Sequence, residues 1–400
     1  MRKGNLNCQD NIENINDSVK VNKLKKSHVL FMIIFLLLSI FMIFEVIKLT
    51  YYTFGKIDKE EAKLYNFVSN KFLINKNKIT QEEYSLKFAG LGDIYITQNI
   101  LNGSKISNGY DFISGTEDIQ EKLKDYDVVV SSLSTPVAGS KYGYTKSDSY
   151  NAPLEILQLL KKLNVSDVAT ASYHSLDKGE AGALDTIKNI KEAKLNQVGL
   201  NSSLDDGKPI IVEKNNIKLG ILSYTRNSNV LMGKSNEYVL DVLNEDDLKT
   251  DIDYLKSQDV DFIIAYLNVK NDNEEIVSSA QKQGTEMLFD AGVNVVLGTG
   301  TKAPQEEVED LIKKDEEQLH VYAIYSLGDF IGEYKTTKNK ESLIANIEFT
   351  KKIRKDIYGN IVYESKDMLV KDSIRVKVQV NNDYSTNMRI VESTKQSTNQ

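Results

Sequence analysis

The chain has 400 residues, 41% of them hydrophobic, enough to bury one large core or two small ones. Its net charge of −7 argues against a nucleic-acid partner, because phosphate contacts need clustered Lys and Arg, and 22 Gly with 4 Pro exclude collagen-like or Pro-rich arrays. The one cysteine, Cys8, leaves the bulk of the chain without an internal disulfide, so its stability must come from apolar burial.

Residues 1–28 carry Arg2, Lys3, Lys20, Lys23, Lys25 and Lys26 against Asp10, Glu13 and Asp17, a basic tail of +3 that leaves −10 for the remainder. Val29–Phe44 then reads VLFMIIFLLLSIFMIF, interrupted only by Ser39. Glu45 and Lys48 can snorkel, so the run extends to Leu49. Its 21 residues would rise about 31 Å as a helix, the thickness of a hydrocarbon core. A buried core helix would keep a polar face, and a cleaved signal peptide would need a small-x-small site that EVIKLTYYTFGK lacks. The sequence therefore predicts a transmembrane signal anchor at 29–49. Lysines 20–26 put residues 1–28 in the cytoplasm and the main domain outside the cell membrane.

Residues 50–82 read as a stalk or linker, with Leu64, Tyr65, Val68 and Phe72 spaced for a short amphipathic helix. From Tyr84, strand-like runs at Leu86–Leu91, Asp127–Val130, Val165–Ala171, Ile217–Leu222, Phe262–Leu267, Val293–Leu297 and Val321–Ser326 alternate with amphipathic stretches near 152–163, 180–194, 244–258 and 273–291. Ala291-Gly292 is a helix-stop signal. Alternation of this kind predicts an α/β domain over 83–350 with helices covering the sheet faces. After Leu343 the pattern is strand-only, so 351–400 is expected to be a β extension whose polar tail, 384–400, is disordered.

Ligands of α/β sheets bind beyond the carboxyl ends of strands, which directs attention to Asp93, Ser132–Pro136, Ser172-Tyr173-His174, Asn268, Gly298–Lys302 and Gly328–Phe330. Asp93 suits a hard or borderline cation, or else a turn carboxylate capping its own backbone. His174 is either functional or a satisfied core histidine, and Asp177 with Gly179 is expected in the N-cap region of the next helix. Nucleotide motifs fail: Gly298–Lys302 lacks the Walker spacing, and Tyr95 stands where a dinucleotide loop opened by Gly90 and Gly92 needs its third glycine. Nor is there a nucleophile elbow or an arguable Ser-His-Asp triad.

In this order, Phe88-Ala-Gly-Leu-Gly-Asp93, His174-Ser-Leu-Asp-Lys-Gly179, Asp290-Ala-Gly-Val-Asn-Val-Val-Leu-Gly298 and Tyr325-Ser-Leu-Gly-Asp-Phe330 resemble the CapA-type proteins of poly-γ-glutamate capsule synthesis. That resemblance implies a calcineurin-like metallophosphatase fold, a layered α/β/β/α sandwich. The departures bear on function. Where the family has Asn-Leu-Glu-x-Pro this chain has Ser132-Leu-Ser134-Thr-Pro136, and Asn-Asn-His becomes Ser172-Tyr173-His174. A family histidine falls at Asn268, the Gly-His-His-Pro-His loop falls on Gly298-Thr299-Gly300-Thr301-Lys302, and Asp329 replaces an Asn. Asp93 and His174 survive, too few donors to fix and activate a metal.

Two functions follow. The first is a membrane-anchored, non-catalytic scaffold or polymer-handling subunit of capsule or poly-γ-glutamate synthesis or export, needing no cofactor. Its partners would be polymer-synthase membrane subunits and an anionic polymer, with Lys351, Lys352, Arg354 and Lys355 as a basic cluster. The alternative is a metal-dependent phosphoesterase or amide-cleaving hydrolase acting on a cell-surface polymer. There Asp93 and His174 would be catalytic and metal-binding, with Mn, Fe or Zn, and Ser132, Ser134, Tyr173, Asn268, Thr299, Lys302 and Asp329 would complete the pocket.

Overall fold

The structure, a computed structural model, describes residues 38–39, 42, 80–233, 236–272, 276–314, 317–332, 341–356, 358–380 and 386–390. The chain divides into two compact units, Met1–Lys78 and Ile79–Gln400. The expected anchor at 29–49 lies outside the described residues except for Leu38, Ser39 and Met42, which are helical. Among the described residues no helix is long and apolar enough to cross a membrane.

The second unit opens with β1 (Thr80–Ile94), α1 (Gln98–Gly103), the short pair β2 (Lys105–Ile106) and β3 (Gly109–Tyr110), α2 (Glu117–Leu123), β4 (Val128–Leu133), α3 (Glu155–Lys162), β5 (Asp167–Ala169), α4 (Gly179–Glu192) and β6 (Asn196–Val198). It continues through β7 (Ile210–Lys214), β8 (Ile217–Thr225), α5 (Glu245–Ser257), β9 (Phe262–Asn268), α6 (Ser279–Ala291), β10 (Val295–Thr299), β11 (Glu307–Lys314) and β12 (Glu317–Ile324). It ends with β13 (Asp329–Ile331), β14 (Glu341–Lys355), β15 (Ile361–Val380) and β16 (Thr386–Ile390).

Two sheets carry the domain. One runs β16-β15-β14-β1-β4-β5-β6 with β13 added beside β1, and the other runs β11-β12-β10-β9-β8-β7. Strand alternation sorts the apolar residues into layers. Leu86 and Phe88 of β1, Val128 and Val130 of β4, Leu219 and Ile221 of β8, and Ile264 and Tyr266 of β9 meet between the sheets. The other parity of the first sheet, Ala89, Leu91 and Val129, packs with Ile100, Ile119, Ile156 and Ile190 of the first four helices. On the far side, Leu222, Ile263 and Val296 pack with Leu248, Ile252 and Leu288 of α5 and α6. The layer order is α/β/β/α.

The helix limits have local causes. At the start of α6, Ser278 and Gln281 form a reciprocal capping box, and Gly292 ends the helix at φ +107°, as the Ala-Gly signal predicts. Gly90 does packing work: a Cβ there would lie 2.4 Å from Leu297 and 3.1 Å from the Tyr266 hydroxyl. That hydroxyl crosses between the sheets to donate to the carbonyl of Val130 at 2.9 Å.

Three expectations are corrected. Thr80–Glu82, assigned to the stalk, belong to β1. The boundary at residue 350 falls inside β14, which pairs continuously with β1 from Ala345 to Lys355. Part of the supposedly disordered tail is strand: Thr386–Ile390 pairs with Val376–Val380, so cross-strand hydrogen bonds outweigh its polar composition.

Candidate functional site

The two sheets align the carboxyl ends of their parallel strands at one end of the sandwich. Register places Asp93 of β1 between Ser132 of β4 and Asp329 of β13. Gly92 permits that close approach, because a Cβ there would stand 2.2 Å from the carbonyl oxygen of Gly328. In the second sheet, Asn268 ends β9 directly beside Thr299 of β10.

A cavity of about 320 Å³ opens at these strand ends. Of the residues expected from sequence, Asp93, Ser134, Tyr173, His174, Asn268, Lys302 and Asp329 line it. Ser132 and Thr299 do not; both are buried behind the wall as supports.

Asp93 is 2% exposed, and its carboxylate is engaged on both oxygens. Oδ1 accepts from the hydroxyls of Ser132 at 2.6 Å and Ser134 at 2.5 Å, and Oδ2 accepts from the backbone N–H of Gly300 at 2.7 Å. Burial pushes the Asp93 carboxyl above its ordinary range, and those three hydrogen bonds with the nearby His174 pull back only part of the way. A turn carboxylate capping its own backbone is therefore not what Asp93 is. Asn268 is likewise used at both ends, accepting from the Tyr173 N–H at 3.0 Å and donating to the Thr299 hydroxyl at 3.0 Å.

His174 occupies the opposite wall. Its Nδ1 faces the Asp177 carboxylate at 3.2 and 3.3 Å, and its Nε2 faces the Tyr95 hydroxyl at 3.4 Å. Tyr95, Tyr150 and Tyr173 surround the imidazole with ring centroids at 5.6, 4.7 and 5.0 Å. Burial first, then Tyr150 and the carboxylates of Asp329 and Asp177, raise the Tyr95 phenol, so it stays a neutral hydroxyl. Asp177 does not cap α4, whose N-cap is Lys178 without a side-chain bond. It accepts instead from the Tyr150 N–H at 2.7 Å and from Asn229 at 2.6 Å, and so orients His174. Lys270 lies over the Tyr173 ring at 5.1 Å and pairs with Asp272 at 3.5 Å.

Sequence reading missed Tyr95, Tyr150 and Asn229 as site residues because they sit in connecting segments with no periodic signal. Only Asp177 was legible, inside His174–Gly179. Among the described residues, no group of three or more His, Cys, Asp or Glu side chains converges as metal ligands would. Chemically, the cavity offers hydroxyls, tyrosine faces, an oriented imidazole, the two lysines Lys270 and Lys302, and the carboxyls of Asp93, Asp148, Asp272 and Asp329 on its wall.

Comparison with known proteins agrees with the resemblance. The family described as Bacterial capsule synthesis protein PGA_cap matches residues 87–334. The capsule biosynthesis protein CapA of Bacillus anthracis is 24% identical over 274 residues, 66% of this chain and 64% of that protein. The PGA biosynthesis protein CapA of Bacillus subtilis is 23% identical over 232 residues, 56% of this chain and 58% of that protein. The chain thus spans under two thirds of the length of either relative. Among solved structures it is similar to a 5′-nucleotidase precursor from Thermus thermophilus, with a TM-score of 0.38 at 10% identity over 76% of this chain and 56% of that one. It is also similar to the sulfate thiohydrolase SoxB of that organism, with a TM-score of 0.35 at 10% identity over 71% and 56%. With the match covering most of the α/β domain, the chain belongs to the bacterial capsule synthesis protein PGA_cap family.

Proposed function

We propose that the chain is a non-catalytic scaffold or polymer-handling subunit of capsule or poly-γ-glutamate synthesis, held at the outer face of the cell membrane by residues 29–49. The observation that carries this is the state of Asp93. Two hydroxyls on Oδ1 and one amide on Oδ2 take three of the roughly four lone-pair sites of the carboxylate, so only about one, on Oδ2, is left for a cation. Asn268 is spent on Tyr173 and Thr299, and Gly300 supplies an N–H where a ligand would need a lone pair. The donor set does not fit a catalytic divalent cation. What supports the scaffold role is family membership combined with a strand-end site in which Ser132, Ser134 and Gly300 occupy the Asp93 carboxyl. The net charge of −7 disfavours broad binding of a polyanion, so contacts with synthase subunits come before polymer contacts.

One observation favours the hydrolase alternative. His174 is oriented by Asp177 through Nδ1, which leaves Nε2 toward the cavity beside Tyr95, an arrangement suited to proton transfer. Elemental analysis of the detergent-purified full-length chain separates the two readings. Well under one equivalent of Mn, Fe or Zn, with no phosphodiester or amide hydrolysis above background, is expected. Stoichiometric metal, with hydrolysis lost in both Asp93→Ala and His174→Ala, overturns the proposal.

A further inference from the structure

β14 and β15 run past the end of the sandwich opposite the cavity. Their outer halves pair with the start of β1, Thr80 with Lys355 and Lys355 with Ile361, giving a three-stranded ribbon. Farther along, the same strands are covered on both faces: Phe88 and Ile347 by the second sheet, Ala89 and Leu91 by helices. The ribbon keeps cover on one face only. There Lys351 and Lys366 share Asp261, each at 2.9 Å, at the base of β9.

The tip is apolar where solvent should favour polar residues. Tyr358, Ile361, Val362 and Tyr363 are 78%, 55%, 55% and 49% exposed, and they lie in and just after the turn that joins β14 to β15. The register slips between Arg354 and Lys355, where Val362 is the extra residue of a β-bulge. Arg354 lies 5.1 Å over the Tyr363 ring and bonds Gln81; among the described residues it has no carboxylate partner. Its neighbours differ, since Lys352 and Lys355 are matched by Glu83 and Glu82. A cluster of tyrosine and aliphatic side chains around one unmatched guanidinium suits the headgroup layer of a bilayer. There aromatic rings sit at the polar boundary and a guanidinium meets phosphate in bidentate fashion.

We infer that the ribbon tip formed by Tyr358, Ile361, Val362, Tyr363 and Arg354 rests on the phospholipid surface, holding the strand-end cavity away from the membrane. The inference depends on the proposed anchor at 29–49. Residues 50–79 join that anchor to Thr80, so the tether attaches at the ribbon and not at the cavity end. The 15 residues of β1 then stand the cavity about 45 Å farther out, at ~3.3 Å per residue. The site would face polymer and partners beyond the membrane instead of the bilayer itself.

The sequence contains no tryptophan, so one introduced Trp is a unique reporter. Full-length Tyr358→Trp and, at the cavity end, Leu231→Trp are reconstituted into phosphatidylglycerol–phosphatidylethanolamine vesicles with brominated acyl chains. Both native side chains are exposed, so neither substitution disturbs the core. Fluorescence of Tyr358→Trp is expected to fall about two-fold or more, as for a ring at the acyl boundary, while Leu231→Trp is unchanged. A protein retained through an alkaline wash whose Tyr358→Trp emission is unquenched overturns the ribbon contact alone. Release by the alkaline wash overturns the anchor, and the ribbon contact with it.

Discussion

The backbone N–H of Gly300 donates to Oδ2 of Asp93 at 2.7 Å, joining residues 207 apart in sequence and tying one sheet to the other at the strand ends. Gly300 makes this bond in the left-handed region, at φ +88°, with the space of its missing Cβ filled by the carbonyl oxygen of Val269 at 2.7 Å. Gly300→Ala therefore combines backbone strain with a clash, and relieving that clash moves the residue-300 N–H away from a buried carboxylate. A loss of about 2–4 kcal/mol in urea unfolding is expected. A loss under about 0.5 kcal/mol would show that the loop relaxes freely and that the bond does not hold the sheets.

His174 and Asp177 should prove structurally unequal. Asp177, its side chain 1% exposed, accepts from the Tyr150 N–H and from Asn229 as well as facing His174, so Asp177→Ala removes three partners at once and leaves the half-buried Tyr150 N–H without its acceptor, and should cost about 2–3 kcal/mol. His174→Ala removes ring contacts with three tyrosines and should cost about 1–2 kcal/mol. If His174 transferred protons in a hydrolysis step, its loss would lower the rate by about 10²–10⁴-fold at little cost in stability. Parallel unfolding and turnover measurements on the two variants therefore tell the readings apart.

Stability should fall as pH rises from acid to neutral. Away from the strand-end site, a hollow of about 880 Å³ is lined in part by Tyr224, Asp241 and Asp251. Burial, with Asp251 and Asp247 nearby, pushes the Asp241 carboxyl up to about 7, although Asn201 donates to it at 2.6 Å. Burial likewise pushes Asp251 up to about 6, despite the Tyr224 hydroxyl bonded to it. A carboxyl with a raised folded pKa binds its proton more tightly in the fold. That contribution is complete below pH ~4 and is lost as pH climbs toward 7. Unfolding free energy should drop by roughly 2 kcal/mol between pH 5 and 8, and Asp241→Asn should remove much of the slope. An unchanged slope in that variant would place the titration elsewhere.

Much of the fold was legible because fully buried parallel strands are continuous apolar runs, and β8, β9 and β10 lie within two residues of the Ile217, Phe262 and Val293 starts expected of them. β1 was underestimated at its polar beginning, where Thr80–Glu83 are held by pairing with 352–355 and carry no apolar signal. Asp93 and His174 were visible as strand-end residues of uncommon type. How Asp93 is satisfied was not visible, since that depends on hydroxyls 39 and 41 residues away and on the conformation of one glycine. The losses in the Ser132–Ser134 and Thr299–Lys302 segments read separately as missing ligands. In space, Ser132, Ser134 and Gly300 act together as the replacement.

That replacement predicts the outcome of a reversal. Ser134 is 5% exposed and its hydroxyl sits 2.5 Å from Asp93 Oδ1, at a position where the resembled family carries Glu. Ser134→Glu would bury a second carboxylate against the first, with one hydroxyl donor removed. Like charges at such separation cannot both ionise cheaply in a dry site, so one of them should take up a proton. Without the remaining family ligands, a divalent cation gains no complete coordination shell to offset that cost. Ser134→Glu should therefore lower the urea midpoint, by about 2–4 kcal/mol in free energy, and millimolar Mn or Zn should not restore it. Recovery of the wild-type midpoint on adding metal would mean that one substitution completes a metal site. Asp93 would then be a ligand in waiting, and the hydrolase reading would replace the scaffold.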